Sequence, residues 1–419
     1  MNPVLRVFLE PHYKMHRGMV VNWHRNESED TLHYRESGSE TWLTAAGSSY
    51  EIPHSSITHF RVVLDQLQPD TEFEFRFGDE GGGDVRKFKT WPMRRNRDMK
   101  VAMISDMQQN PVNSNTSYKN ILGHLRNRNP DLFVFNGDYV NCEGFISSGN
   151  TNNWFSILDS FSELVSAEGY HIPIVATVGN HEVTPMALSG SGDHAGEKVH
   201  NANYLRLFFH SIWNEDKDGY GQIYAGNYFM LICLDTDHQN TAASQTPWLN
   251  ELYNKLGNRY THVLATEHIN PYPGHRGFDM SPTPEAYEPS VIVQRGEWHP
   301  ILQKINTRFI HCGHEHLFTV SPRIQVNSEN PQGHVNADAY ESIVYTGSGG
   351  LGTNLRTVNN AEEWWVEDVS RTANYWIFTL KDGEITASSW NSNNGTLLNE
   401  KNQVVKNIAY GKPRLALAA

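Results

Sequence analysis

A chain of 419 residues is too long for one ordinary hydrophobic core and favours two domains. An apolar share of 38% with 11% aromatic residues suits a globular protein, and no stretch has the length and apolarity of a membrane span. The net charge of −13, with lysines and arginines scattered, argues against unaided binding to nucleic-acid backbone or anionic lipid, and three cysteines without CxxC spacing argue against a disulfide framework or cysteine-rich zinc site.

The chain enters a strand-like segment at 4–9 without a basic stretch followed by a long apolar one, so no export signal is visible and a cytoplasmic location is expected. From 1 to 92, short runs rich in β-branched and aromatic residues alternate with polar turns, the pattern of an antiparallel sandwich. Strands are expected at 4–9, 19–24, 31–35, 57–64, 72–77 and 85–90, with Trp23 as core aromatic. A polar, basic linker follows at 93–99.

From 100 to 419, short apolar runs alternate with helix-length amphipathic ones, as in an α/β domain. Buried strands are expected at 100–105, 132–136, 172–178, 228–234, 262–266 and 308–311. Trp154, Ile157, Leu158, Phe161, Leu164 and Val165 have helical spacing and predict a helix over 154–167. The glycines at 81–83 and the stretch 189–192 read as loop tips.

Polar clusters follow directly on these strands: Ser105-Asp106-Met107-Gln108, Asn136-Gly137-Asp138-Tyr139, Gly179-Asn180-His181-Glu182, Glu267-His268 and Gly313-His314-Glu315-His316. Strand carboxyl ends converge in an α/β sheet, so these oxygen and imidazole groups should meet as a site for Mn, Fe or Zn. Singly, Asp138 reads as a strand-end turn and Asn180-His181 as a helix cap. Together the clusters point to metal. Cys142, near Asp138, reads as inert packing.

The order and wording of the clusters resemble the calcineurin-like metallophosphoesterases, and within them the purple acid phosphatases. Gln109-Asn110, Cys233-Leu234-Asp235-Thr236, Gln245-Thr246-Pro247-Trp248-Leu249 and Thr346-Gly347-Ser348-Gly349-Gly350 echo the same family. Leu67 to Phe75 resembles the turn into the sixth strand of fibronectin III domains, with Phe73 where a Tyr is usual. The resemblance spans nearly the whole chain. It implies a four-layer metallophosphoesterase β-sandwich with flanking helices (an α/β or α+β domain), preceded by an immunoglobulin or fibronectin III-like sandwich.

The resemblance also implies hydrolysis of a phosphate monoester or diester, in a phosphorylated small molecule or nucleotide, at two divalent or mixed-valence metal ions. Asp138 would bridge them, Asp106 and His316 would bind the first, and Asn180, His268 and His314 the second. His181 and His275 would contact the phosphate and protonate the leaving oxygen. Two adjacent cations suit this reaction because they acidify water and neutralise phosphoryl oxygens.

Most calcineurin-like enzymes carry a His two residues after the first Asp, where this chain has Gln108; purple acid phosphatases carry a Tyr three residues after the bridging Asp, where it has Asn141. The first site is left with Asp106, Asp138 and His316, with amide oxygens of Gln108 and Asn141 as weak additions. Tyr139, one residue from Asp138, should point to the opposite side of an extended strand. Tyr139 and Arg276, with His194 and His200, are candidate pocket residues. The competing reading is a binding or adhesion protein whose metal centre is impaired and whose sandwich is the working part. Because the sandwich supplies no proposed ligand, the domain from about residue 96 is expected to retain activity alone.

Overall fold

The computed structural model describes the chain except residues 1–3, 27–30, 79–83, 109–115, 141–145, 184–201, 214–217, 276–288, 339–341 and 406–419. The N-terminal part contains β1 (Leu5–Pro11), β2 (Met19–Arg25), β3 (Thr31–Glu36), β4 (Leu43–Ala46), β5 (Ser48–Glu51), β6 (Thr58–Leu64), β7 (Glu72–Phe77) and β8 (Arg86–Lys89). They form two four-stranded antiparallel sheets, ordered β1-β2-β6-β5 and β4-β3-β7-β8. Strict alternation builds the core between them: Phe73, Phe75 and Phe77 of β7 point inward, and Trp23 stacks on Phe60 at 5.4 Å. The short β4 and β5 escape sequence reading because their residues are mostly exposed and show no apolar alternation.

The sandwich is not a free module. β2 is buried along its whole length because it has an apolar face toward the sandwich core and a second face, with Asn22 and His24, toward the next domain. His24 packs on Phe155 and Phe208, and Phe8, Met15, Ile52 and Trp91 belong to the same apolar core as the C-terminal part.

That second part contains β9 (Met99–Ile104), β10 (Leu132–Asn136), β11 (Ile174–Thr177), β12 (Gly221–Ala225), β13 (Phe229–Cys233), β14 (His262–Ile269), β15 (Thr307–Gly313) and β16 (Phe318–Val320). It continues with β17 (Ile324–Gln325), β18 (His334–Val335), β19 (Val344–Gly347), β20 (Asp368–Ser370), β21 (Asn374–Lys381), β22 (Glu384–Asn391) and β23 (Leu397–Val404). Its helices are α1 (Thr116–Arg128), α2 (Ser148–Phe161), α3 (Asn203–Phe208), α4 (Ala242–Leu256), α5 (Pro289–Val293) and α6 (His299–Ile305), with a π-helical turn, Gln294–Trp298, between the last two.

A six-stranded sheet, β11-β10-β9-β21-β22-β23, packs on a seven-stranded one, β12-β13-β14-β15-β19-β16-β20, while β17 and β18 form a small ribbon. Phe309 and Phe318 of one sheet meet Phe378 and Trp376 of the other at 5.5 and 5.9 Å. α1 and α2 pack on the first sheet, and α4 and α6 cover the second. The result is the expected layered α/β sandwich. Among the described residues no helix is long and apolar enough to cross a membrane.

The expected helix over 154–167 lies earlier, at Ser148–Phe161. The Ser147 hydroxyl accepts from Asn150 N and starts it, and the chain then leaves helical geometry so that Leu164 O can accept from Ile172 N at 2.9 Å. Leu164 is still buried, but as part of this turn.

β9, β10 and β11 run parallel, as do β13, β14, β15 and β19, so each sheet sends several carboxyl ends in one direction. The Asn136 amide joins the two sets by donating to Glu267 O at 2.8 Å and His311 O at 3.1 Å.

Candidate metal centre

The loops leaving these strands turn sharply. Asp106, Gln108, Asp138, His314 and His316 all hold positive φ, at 60°, 41°, 57°, 69° and 51°. Such backbone costs energy in non-glycine residues and concentrates at functional sites. Gly137 is required twice over: its φ is +77°, and a Cβ there would come within 2.7 Å of His268 Nδ1.

Hydrogen bonds hold the strained turns. Glu182 Oε2 accepts from Asp138 N at 2.8 Å and Gly179 N at 2.9 Å, while Oε1 accepts from Tyr139 N at 2.8 Å. The His181 amide donates to Asp138 Oδ1 at 3.0 Å, and the His314 amide to both Asp106 oxygens at 2.9 and 3.0 Å. Glu182 and Asn136 stand inside the polar clusters, yet their bracing roles depend on partners distant in sequence.

Two buried donor groups result, Asp138 with His268 and His314, and Asp106 with Asp138 and His316; within each, the ligand atoms lie within 4.8 Å of one another. Asp138 belongs to both. His268 donates Nδ1–H to Asn136 O at 2.8 Å and His316 donates Nδ1–H to Asn354 O at 3.3 Å, so each ring turns its Nε2 toward a carboxylate. Those Nε2 atoms stand 3.3 Å from Asp138 Oδ1 and 3.4 Å from Asp106 Oδ1. Asn180 Oδ1 lies 3.0 Å from His314 Nδ1. Edge-on to His268 sits the His238 ring, at 5.4 Å.

Electrostatics follow from crowding. Burial alone would raise Asp138 and Asp106, but His268 and His181 beside the first, and His316 beside the second, hold both carboxyls below the usual range. Burial is the largest single influence on His268 and would lower it, but the Asp138 charge and hydrogen bond, the Asp106 charge and the bond to Asn136 O together lift the imidazole to about 10. Burial and the Asp138 charge push Glu182 up to about 8 against the pull of its amide donors.

The donor set fits a pair of cations. His268 Nε2 is buried and, among the described residues, has no ordinary hydrogen-bond partner, an arrangement that a cation shared with Asp138 would complete. The group that includes His268 consists of Asp138, His268 and His314, with Asn180 Oδ1 beside His314. The other has Asp106, Asp138 and His316, with Gln108 alongside: its amide Nε2 donates to Asp138 Oδ2 at 2.8 Å.

His181 approaches the shared carboxylate, Nε2 3.9 Å from Asp138 Oδ2, and keeps 19% of its side chain exposed. His275 touches none of the carboxylates of the two groups; its amide donates to Glu315 Oε2 at 2.9 Å, and its ring Nδ1–H donates to Thr357 O at 2.7 Å. Tyr139 is corrected as a pocket residue. Its hydroxyl donates to Phe135 O at 2.8 Å and its ring stacks on Phe135 at 4.1 Å, inside the apolar core. Asn141, Cys142, His194, His200, Arg276 and the loop tips at 81–83 and 189–192 lie outside the described residues.

Comparison with known proteins agrees with this geometry. The family model described as Calcineurin-like phosphoesterase matches residues 99–318, and that of the Purple acid Phosphatase, N-terminal domain, matches 4–90. Purple acid phosphatase 23 of Arabidopsis thaliana is 24% identical over 313 residues, covering 67% of this chain; the chain spans 61% of that relative's length. The purple acid phosphatase PPD1 from yellow lupin (Lupinus luteus) seeds shares the fold at TM-score 0.75 and 13% identity, over 96% of this chain and 74% of that one. A structure of PhoD matches at TM-score 0.63 and 14% identity, over 96% and 93%.

Proposed function

The chain belongs to the calcineurin-like phosphoesterase family, and from that premise we propose that it hydrolyses phosphate esters at a dinuclear metal centre. The observation that carries the reading is the pair of buried donor groups sharing Asp138. In this reading Asp138 would serve both positions, Asp106 and His316 would complete the first, and Asn180, His268 and His314 would complete the second. Nitrogen and oxygen donors of this kind suit Fe, Zn or Mn.

A cation pair held there supplies positive charge for the phosphoryl oxygens and acidifies water at neutral pH. The protein's own groups do the rest. Asn136 O and Asn354 O fix the tautomers of His268 and His316, so both imidazoles are pre-oriented. Glu182 keeps the bridging residue in its strained turn. His181, partly exposed beside Asp138, contacts the phosphate, and His275 protonates the leaving oxygen from Nε2 while Thr357 O holds its Nδ1–H.

The substrate is a phosphorylated small molecule or nucleotide. The strained, carefully braced ligand turns argue against the alternative of an adhesion protein with a decayed centre, since strain of this kind persists only where the surroundings enforce it. Metal analysis of the purified protein together with a panel of phosphate monoesters and diesters tests the proposal. Turnover with about two bound metals per chain is expected, and metal-free protein without hydrolysis would overturn it.

A further inference from the structure

The loop from His268 to His275 is clamped carbonyl by carbonyl. Gln294 Nε2 donates to Ile269 O at 2.7 Å, and the Arg295 guanidinium donates to Pro271 O through Nε at 2.7 Å and through Nη2. Pro273 O receives Asn360 Nδ2 at 2.9 Å and Trp365 Nε1 at 3.1 Å. Gly274 O accepts from the amides of Asn359 and Asn360, both at 3.0 Å, and His275 O from Asn359 Nδ2 at 2.6 Å.

Gln294 and Arg295 open the π-helical turn, a rare feature that recurs at functional sites. Arg295 is only 3% exposed and lies over the Tyr272 ring at 4.2 Å and near the Trp365 ring at 5.4 Å. A buried guanidinium is a costly way to brace an ordinary loop. Here the loop begins at a proposed metal ligand and ends at the proposed acid.

We propose that Arg295, helped by Gln294 and Trp365, is a positioning residue that fixes His275 relative to His268 and so determines how well the protein cleaves esters with poor leaving groups. The inference rests on the acid role given to His275 above. In that step a P–O bond to the oxygen of water forms, the water's protons staying with the phosphate product or passing to solvent, as the P–O bond to the leaving group breaks. The proton on His275 Nε2 passes to the departing oxygen, which leaves as an alcohol, and the imidazole is left neutral with Nδ1–H on Thr357 O. A good leaving group needs no such proton, so misplacing His275 must hurt poor ones selectively.

The test uses the metal-loaded full chain and kcat on 4-nitrophenyl, phenyl and alkyl phosphates, or the matching diesters where those are preferred. His275→Asn is expected to lose about 100-fold on the alkyl ester and far less on the nitrophenyl ester. Arg295→Met should show the same selective loss, roughly 10- to 100-fold, with bound metal retained. Arg295→Lys and Trp365→Phe should show smaller losses in the same direction, and they carry the test if Arg295→Met misfolds. If His275→Asn is selective while the clamp variants lose rate equally on every ester, or lose metal, the clamp proposal is overturned and the acid role stands. If His275→Asn itself shows no leaving-group dependence, the acid role fails and the clamp proposal falls with it.

Discussion

Glu10, on β1 of the sandwich, accepts hydrogen bonds from the amides of His210 at 2.8 Å and Ser211 at 2.9 Å in the catalytic domain. Its other oxygen accepts from Asn22 Nδ2 at 2.9 Å, and Asn22 in turn receives Arg61 Nε at 3.0 Å. Arg61 reaches across the same boundary to Leu207 O at 2.8 Å. A buried carboxylate thus ties the two domains together through backbone amides just after α3.

Glu10→Ala is therefore expected to destabilise the whole chain by about 3 kcal/mol, because it strands two amides and leaves the buried Arg61 without its nearby counter-charge. Urea unfolding should remain one transition with a lower midpoint. A chain starting near residue 96 would expose the partners of Phe8, Met15, Ile52 and Trp91 and should aggregate, contrary to what the polar linker alone suggests. Soluble, active 96–419 protein would show that the shared core is dispensable.

The two donor groups make separable predictions for metal and turnover. Asp138→Ala should abolish hydrolysis and lower bound metal at both positions, because both groups use this carboxylate. His181→Ala should retain metal by elemental analysis while turnover falls by roughly 100-fold, since its ring approaches Asp138 but belongs to neither group. Wild-type turnover in Asp138→Ala would remove the basis of the proposed centre.

Acid should weaken the fold through buried neutral histidines. Burial holds His24 and His299 at about 3 and His171 at about 4, and Arg6 or Arg86 adds to the effect for His24 and His171. Each folded pKa lies below the unfolded value of 6.5, so the unfolded chain binds the extra protons. Stability is fully present above pH ~6.5 and is lost as pH falls toward these folded values, by about 1.4 kcal/mol per pH unit for each His. His24→Phe should remove about 2 kcal/mol of the loss between pH 7.5 and 5.0, measured by urea unfolding in the presence of chelator. Equal losses in variant and wild type would mean that His24 takes up a proton in the folded chain.

The residues of the centre were legible because each follows a short apolar strand, and strand ends of one sheet converge whatever the intervening chain does. Asp106, Asp138, His268, His314 and His316 come together for that reason. Illegible were features whose partners are distant in sequence. Arg295 looks like an ordinary helical arginine until Pro271 is seen above it, and Glu10 looks like a surface charge on a strand until His210 and Ser211 cover it. Strands β4 and β5 carried too little apolar pattern to register.

Colour and the weaker metal position both depend on which side chains flank Asp138 and Asp106. A purple phosphatase needs a phenolate on ferric iron, because the visible band is charge transfer from that ligand. Tyr139 is the aromatic residue beside Asp138, and it is turned into the core with its hydroxyl donated to Phe135 O. The chain has Asn141 where the family's tyrosine stands. Iron-loaded protein should therefore show no intense tyrosinate band. In the proposed assignment the first position would draw on Asp106, Asp138 and His316, while the second would add Asn180 to its two imidazoles, so a chelator should remove one metal well before the other. Gln108 currently gives its amide hydrogen to Asp138 Oδ2 and competes with a cation for that oxygen. Replacing it by Gln108→His should free the oxygen, add a nitrogen donor and slow loss of the labile metal by roughly 10-fold or more. The measurement is metal release to a chelator followed by elemental analysis. A purple wild type whose colour disappears in Tyr139→Phe would make Tyr139 the ligand and overturn the assignment of the first position.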